Sequence, residues 1–226
     1  MGRHMDELPT VIARAPGACG ELVLRRVGAH HEIIADGMFL MDTRAGESER
    51  LLVDAAADRM PDGAPLVVGG LGVGFSLAAA LSHPRVGEVV VVEREQAVIE
   101  WNAGPLGNAD LLADPRAHCV PADLVTWLST VEEPFGAVCL DIDNGPEWTL
   151  DEGNAGLYTD TGLDLLASAL TPDGVLAVWS AAASADFHTR LRAHFADVEE
   201  LTVPVPRGEP DVVYLATPSP RPSSPS

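Results

Sequence analysis

Short apolar runs alternate with helical patterns from about residue 64 onward. The apolar runs are APLVVGG, GEVVVVE, RAHCVPAD, FGAVCLD and GVLAVWS, and most of them end in glycine or polar residues. Strands that are apolar throughout are typical of a parallel sheet with helices on both faces. The intervening segments FSLAAALSH, REQAVIEWN, LVTWLST, TGLDLLASAL and ADFHTRLRAHF have helical character. Right-handed crossovers between such strands give a doubly wound α/β fold.

The two ends of the chain differ from this core. DVEELTVPVP and DVVYLATP, joined by RGEP, predict an antiparallel hairpin that completes a mostly parallel seven-stranded sheet. Residues 11–45 alternate between apolar and polar with glycine punctuation, which predicts a small N-terminal β-hairpin or three-stranded sheet. We expect residues 46–217 to form the α/β domain. Residues 1–10, with the vector-like MGRHM, are expected to be flexible, and the Pro/Ser tail 218–226 is expected to be disordered.

The chain is strongly acidic, with a formal net charge of −20 over 226 residues. Binding to nucleic acid needs a basic surface, so that class of function is excluded, whereas an acidic surface attracts cationic small molecules such as amines. All 14 basic residues are Arg. The lack of Lys excludes Schiff-base enzymes and Walker-type nucleotide sites. Richness in Arg, Ala and Gly is typical of GC-rich bacterial genomes.

Nothing in the chain predicts a membrane span, because no apolar run approaches the ~20 residues that a span needs, and no secretory signal opens the sequence. Cys19, Cys119 and Cys139 lie far apart and lack the spacing of a metal site. We therefore expect a cytoplasmic protein that has neither a metal nor a membrane as partner.

The first strand of the α/β region ends in a glycine-rich turn. Gly70, Gly72 and Gly74 follow that strand and precede a helix. Glycines let the backbone approach a ligand closely, and the helix N-terminus behind them favours an anion. Glu93, at the tip of the next strand, is placed to accept hydrogen bonds from both hydroxyls of a ribose, with Arg94 beside it. Together these residues predict a ribose-bearing cofactor.

Two further strand tips carry carboxylates. The third strand ends in PAD, where Asp123, after Ala122, can accept a hydrogen bond from an adenine amino group or cap the following helix. The fourth strand ends in CLDIDNGP, which contains Asp141 and Asp143. Two residues apart on a strand, their side chains point to the same side. They are candidates for a general base that takes a proton from an amine, and the alternative is that both cap a turn.

Six segments point to a known family: FLMDTRAGESER, VVGGLGVG, HPRVGEVVVVERE, DPRAHCVPAD, CLDIDNGP and LYTDTGLDLLASALTPDGVLAV. Their order and approximate spacing resemble the spermidine synthases, which are aminopropyltransferases built on the class I methyltransferase fold. The resemblance covers about residues 38 to 180. It implies that Glu93 binds the ribose, that Asp123 binds the adenine amine, and that Asp141 opens an acidic loop facing the transferred group.

The glycine loop departs from that family. The usual GGGDGG reads GGLGVG here, so Gly72 stands where the family has an aspartate. Aminopropyltransferases use decarboxylated S-adenosylmethionine, whose free amine suits that aspartate. Bare backbone amides at a helix N-terminus suit the carboxylate of ordinary S-adenosylmethionine instead. The acidic loop also departs, with one residue between Asp141 and Asp143 rather than two. We therefore predict methyl transfer from S-adenosylmethionine to a small-molecule acceptor.

Several residues are candidates for binding that acceptor. Asn144, Trp148 and Tyr158 lie in or after the acidic loop, and an aromatic face suits a cationic sulfonium or amine. Trp179 is a further candidate, with a place in the core as the alternative. Glu49 lies in GESER, a region that carries an acidic residue in the family, and it either faces the site or is a solvated or capping charge.

Other functions stay open at this point. One alternative is an aminopropyltransferase that uses decarboxylated S-adenosylmethionine. Another is a non-catalytic protein that keeps the nucleoside pocket, and a third is unusual sulfonium chemistry such as cyclisation. The acceptor can be an amine, but the sequence does not name it. The family resemblance also implies a homodimer.

Overall fold

The computed structural model describes residues 8–18, 20–142, 144–147, 149, 152–205 and 208–218. Two of the predicted site residues, Asp143 and Trp148, lie outside these ranges. So do most of the segment predicted to be flexible and most of the Pro/Ser tail. The predicted boundaries of these segments therefore stay predictions.

The N-terminal region forms an antiparallel sheet of four strands: β1 (Thr10–Gly17), β2 (Gly20–Val27), β3 (His30–Ala35) and β4 (Met38–Asp42). The prediction of two or three strands missed β1, none of whose residues is buried. Leu22, Leu24 and Ile33, by contrast, are buried and pack into the core beneath the α/β domain. The small sheet is thereby fixed against the rest of the molecule.

Seven strands form the main sheet: β5 (Leu66–Gly69), β6 (Val89–Glu93), β7 (Ala117–Pro121), β8 (Phe135–Leu140), β9 (Leu170–Ser180), β10 (Asp197–Val203) and β11 (Asp211–Thr217). Their order is β10-β11-β9-β8-β5-β6-β7. The pairs among β5 to β9 are parallel, whereas β11 pairs antiparallel with both β9 and β10. The predicted doubly wound α/β fold and its closing hairpin are confirmed.

The described residues form eight α-helices: α1 (Glu47–Ala57), α2 (Phe75–Ser82), α3 (Gln96–Ala103), α4 (Ala109–Leu112), α5 (Leu124–Leu128), α6 (Glu152–Ala155), α7 (Asp160–Ser168) and α8 (Ala185–His194). A 3₁₀ turn spans Gly156–Tyr158. No helix in the described ranges is long and apolar enough to cross a membrane.

Each face of the main sheet has its own apolar core. Val68 and Cys139 pack with residues of α1, α2 and α3, whereas Val67 and Val138 pack with residues of α5, α7 and α8. Neighbouring residues of one strand point to opposite faces, so a strand buried on both sides must be apolar throughout. This requirement explains the unbroken apolar runs in the sequence.

Candidate active site

A cavity of about 850 Å³ lies where the carboxyl ends of β5, β6 and β8 meet the N-terminal sheet. β5 pairs with β6 on one side and with β8 on the other, so the strand order reverses here. Ligands of doubly wound sheets bind at this position. The predicted site residues on its wall are Glu49, Gly70, Gly72, Glu93, Arg94, Ala122, Asp141 and Asn144.

The glycine loop, residues 70–74, connects β5 to α2 and requires glycine for two reasons. Gly70 has a φ of +91° and Gly72 a φ of +51°, both in the left-handed region. In addition, a Cβ atom on Gly70 would lie 2.3 Å from the carbonyl oxygen of Asp141. The tip of β8 therefore sits directly against the loop. Gly74 lies behind the cavity rather than on its wall, and it caps α2 with a φ of +90°.

Amide groups of the glycine loop already bond within the protein. Leu71 N donates to Glu93 Oε2 over 2.9 Å, and Gly74 N donates to the carbonyl oxygen of Leu71 over 2.9 Å. The N–H of Gly72 lies close enough to the Glu93 carboxylate to help lower its pKa. The amides of Leu71 and Gly74 are not free to bind a ligand carboxylate. The prediction of ordinary S-adenosylmethionine assumed that these amides were free, and that assumption was wrong.

Glu93 ends β6 and is only 8% exposed. Besides the loop amides, its carboxylate accepts a hydrogen bond from Glu95 N over 2.8 Å. Burial raises the pKa of Glu93, and the backbone N–H bonds oppose that rise. Arg94 and Ala122 share the cavity wall with it. The binding of ribose by Glu93 stays a prediction.

Asp123 is the N-cap of α5, one of the two roles predicted for it. Its Oδ1 accepts a hydrogen bond from Thr126 N over 2.8 Å, and this bond lowers the pKa of Asp123. Its neighbours Ala122 and Leu124 line the cavity, but Asp123 does not. Its contact with an adenine amine stays a prediction.

Asp141 follows β8 directly and faces the cavity from beneath the glycine loop. The hydroxyl of Ser76, itself 1% exposed, donates to Asp141 Oδ2 over 2.5 Å. Burial, with the nearby charges of Glu49 and Glu93, raises the pKa of Asp141 to about 7, and the Ser76 hydrogen bond opposes this rise. A carboxyl group with such a pKa can accept a proton near neutral pH.

Glu49 and Asp211 also line the cavity, and only one of them was predicted. Glu49 on α1 was a predicted site residue, whereas Asp211 at the start of β11 was not. The hydroxyl of Ser48 lies 2.8 Å from Asp211 Oδ2 and 3.0 Å from Glu49 Oε2. Burial, and in smaller part the charge of Asp211, raises the pKa of Glu49. We call Glu49, Asp141 and Asp211 the acidic wall.

Sequence reasoning missed Asp211 because it lies 163 residues from Ser48, its hydrogen-bond partner. The residue matches no local motif. The strand order of the main sheet is the information that could have placed Asp211 at the cavity. Since β11 pairs with β9, the first residue of β11 comes to the same edge of the sheet as the end of β9.

The remaining candidates for acceptor binding have different outcomes. Asn144 and Trp179 line the cavity. Tyr158 does not, because it is 2% exposed and its ring packs edge-on against Phe187, with centroids 5.6 Å apart. Tyr158 is therefore a core residue, and its predicted contact with the acceptor was wrong. Asp143 and Trp148 lie outside the described residues, so their predicted roles stay predictions.

Comparison with known families adds to this geometry. Residues 59–214 match the model of the spermine/spermidine synthase domain. The polyamine aminopropyltransferase of Mycobacterium tuberculosis (strain H37Rv) is 32% identical over 184 residues, which cover 78% of this chain and 34% of that protein. Polyamine aminopropyltransferase 1 of Streptomyces coelicolor is 36% identical over 119 residues, which cover 51% and 22%. The chain thus spans about a third or less of the length of these relatives.

Solved structures agree with the fold. A spermidine synthase in complex with the transition state analogue AdoDATO superposes with a TM-score of 0.77 at 17% identity, covering 91% of this chain and 73% of the other. The spermidine synthase of Thermotoga maritima gives a TM-score of 0.74, also at 17% identity, over 91% and 72%.

These findings correct the main functional prediction. Methyl transfer was predicted because the glycine loop and the acidic loop depart from the family pattern, yet the matched domain is that of spermine and spermidine synthases and the relatives are named aminopropyltransferases. The loop amides that were to hold a carboxylate bond to Glu93 and to Leu71 instead. The prediction of methyl transfer was wrong.

Proposed function

Since the chain belongs to the spermine/spermidine synthase family, we propose that it is a transferase that moves an aminopropyl group from decarboxylated S-adenosylmethionine to an amine. The observation that carries this proposal is Asp141. It is a buried carboxyl group with a pKa of about 7, and it lies between the glycine loop and the other two carboxylates of the acidic wall.

The residues present fit the decarboxylated donor. Glu93 and the glycine loop would hold its nucleoside, with Arg94 and Ala122 beside them. Asp141, the member of the acidic wall that lies against the glycine loop, suits the donor's positive charges, and a donor that still carried its carboxylate would be repelled by it. When bound, this donor supplies a sulfonium leaving group for an in-line displacement by the acceptor nitrogen.

The acceptor side fits an amine. An amine is a cation at neutral pH, and a cavity lined by several carboxylates attracts cations. Glu49 and Asp211 share one hydroxyl, that of Ser48, which has a single proton to donate. An ammonium group has three N–H donors and would satisfy both carboxylates.

Asp141 would take the proton of the attacking nitrogen. Only the neutral amine is a nucleophile, and removing a proton from a group of pKa ~10.4 at pH 7 costs roughly 4–5 kcal/mol. A positioned base lowers this cost in the transition state and contributes ~10²–10⁴ in rate. Ser76 would hold the carboxyl group in place through its hydrogen bond to Oδ2. The donor and the acceptor amine would then both lie next to Asp141.

The test is incubation of the purified protein with decarboxylated S-adenosylmethionine and a diamine such as putrescine, followed by mass spectrometry. We expect methylthioadenosine and the diamine extended by one aminopropyl group to form in equal amounts. Asp110→Asn, at an exposed position of α4, is the matched control for loss of charge and should retain this activity. A folded protein that binds the donor but yields no product with any diamine or polyamine would contradict the proposal.

A further inference from the structure

The glycine loop is held from behind by two asparagines that no local motif marks. Asn102, on α3, donates from Nδ2 to the carbonyl oxygen of Gly72 over 2.8 Å. Asn108, just before α4, donates from Nδ2 to the carbonyl oxygen of Val73 over 2.8 Å. Two consecutive carbonyls of the loop are thus bound by side chains that lie about 30 residues away in the sequence.

The two asparagines also bind each other, so that their amide hydrogens are all used. Asn108 Nδ2 donates to Asn102 Oδ1 over 2.7 Å, and Asn102 Nδ2 gives its second hydrogen to the carbonyl oxygen of Val98 over 2.8 Å. Asn102 is 0% exposed. A buried amide with every hydrogen bond satisfied adopts one orientation, because any rotation would leave a polar group unpaired.

Gly74 fits this arrangement. A Cβ atom at that position would lie 2.6 Å from Asn108 Nδ2 and 3.1 Å from Asn102 Oδ1. The glycine therefore leaves room for the asparagine pair as well as adopting a positive φ. Gly74 therefore faces the two asparagines rather than the cavity.

Gly72 is consequently fixed at both ends of its backbone. Its N–H lies close to the Glu93 carboxylate on one side, and its carbonyl oxygen accepts the hydrogen bond from Asn102 Nδ2 on the other. Gly72 lines the cavity and has no side chain of its own to anchor it. We infer that Asn102, supported by Asn108, is a positioning residue that sets the shape of the glycine loop for binding the nucleoside of the donor. This inference rests on the proposed function.

The test uses Asn102→Leu, which keeps the size of the side chain and removes its hydrogen bonds. Asn108→Ala is the second variant, since Asn108 is partly exposed and its loss is tolerated more easily by the fold. Gln96→Ala, at an exposed position of the same α3 helix, is the control. Each is titrated calorimetrically with methylthioadenosine, and the KM values of donor and acceptor are measured separately.

We expect the nucleoside to bind about tenfold more weakly to Asn102→Leu and about threefold more weakly to Asn108→Ala. The donor KM should rise in parallel, while the acceptor KM stays unchanged and Gln96→Ala behaves as wild type. If Asn102→Leu does not fold, the nucleoside affinity and the donor KM of Asn108→Ala test the positioning role instead. Unchanged nucleoside affinity and unchanged donor KM, with only the thermal midpoint lowered, would overturn the positioning role. A wild-type protein that does not bind methylthioadenosine would overturn the proposed function together with it.

Discussion

On the side of the cavity formed by β5 and β6, polar groups bond to one another, whereas on the opposite side three carboxylates face the same space. Loop amides bond to Glu93, and two loop carbonyls bond to asparagines. Among the described residues, the side-chain hydrogen bonds to the acidic wall come from the hydroxyls of Ser48 and Ser76. Several polar groups of the first side are thus bonded within the protein before a ligand binds, whereas the carboxylates of the acidic wall would gain partners when a cation binds.

This difference indicates how the nucleoside and the amine would each be recognised. A preformed, satisfied loop binds by shape, since little reorganisation is needed when the nucleoside arrives. The acidic wall, in which the pKa values of Glu49 and Asp141 are raised, binds by charge, because a cation relieves the repulsion among its members. Variants on one side should therefore affect one ligand and leave the other unchanged.

The largest effect is expected at Asp141, which both sides share. Asp141→Asn keeps the shape of the side chain and removes the base, so kcat should fall by ~10²–10⁴. Binding of methylthioadenosine should change little, because the loop and Glu93 are untouched. Steady-state kinetics and calorimetry measure the two quantities. A variant with nearly full kcat would remove Asp141 from the proposed chemistry.

The pH dependence of the wild-type enzyme follows from the same residue. The pKa of Asp141 is raised to about 7, so below that pH the group is protonated and cannot accept a proton. We expect kcat/KM for the acceptor to rise by about tenfold per pH unit up to roughly neutral pH and then to level off. Initial rates between acid and mildly alkaline pH check this. The rise should be absent in Asp141→Asn, and its persistence there would assign it to another group.

On the nucleoside side, Glu93→Gln should weaken binding of methylthioadenosine by about 10- to 100-fold, since the amide cannot accept bonds from all its backbone donors with both of its polar atoms. The acceptor KM should remain within error of wild type. Glu100→Gln, at an exposed position on α3, removes the same charge and should have no effect. Equal losses for both ligands would mean that the two sides are not separable.

On the acidic side, Asp211→Asn should raise the acceptor KM by about tenfold and leave the donor KM unchanged, because one charged partner of the ammonium is lost. Asp197→Asn, an exposed aspartate on the neighbouring strand β10, is the matched control. If the donor KM rises instead, Asp211 belongs to the donor site.

The smallest effect is expected for Ser48→Ala, which removes the hydroxyl between Glu49 and Asp211 but neither charge. The acceptor KM should rise only about threefold, because both carboxylates remain and only the hydroxyl that orients them is lost. A loss as large as that of Asp211→Asn would show that the hydroxyl, rather than the carboxylates, determines acceptor binding.

The two sides also differ in how far the sequence predicted them. The glycines and Glu93 lie at strand tips close in sequence, so a local pattern identified their place. Asp211, Ser48 and Asn102 reach the cavity and its loop through strand order and helix packing, which no short motif encodes. Tyr158 was misplaced because an aromatic residue after a strand looks the same in sequence whether it turns toward the site or the core.

The fold was predicted almost completely because a sheet buried on both faces leaves an unmistakable apolar pattern. β1 was missed since its residues are at least partly exposed. The error about the donor had a different origin. Which backbone amides are free cannot be derived from GGLGVG alone, as the partner of Leu71 N lies on the next strand.

Parallel calorimetric titrations of the protein with decarboxylated and with ordinary S-adenosylmethionine test the proposed function most directly. Asp141 and the engaged amides of Leu71 and Gly74 predict tighter binding of the decarboxylated form, because the carboxylate of the ordinary form would face a like charge. Tighter binding of the ordinary form would contradict this picture of the cavity and, with it, the assignment of aminopropyl transfer.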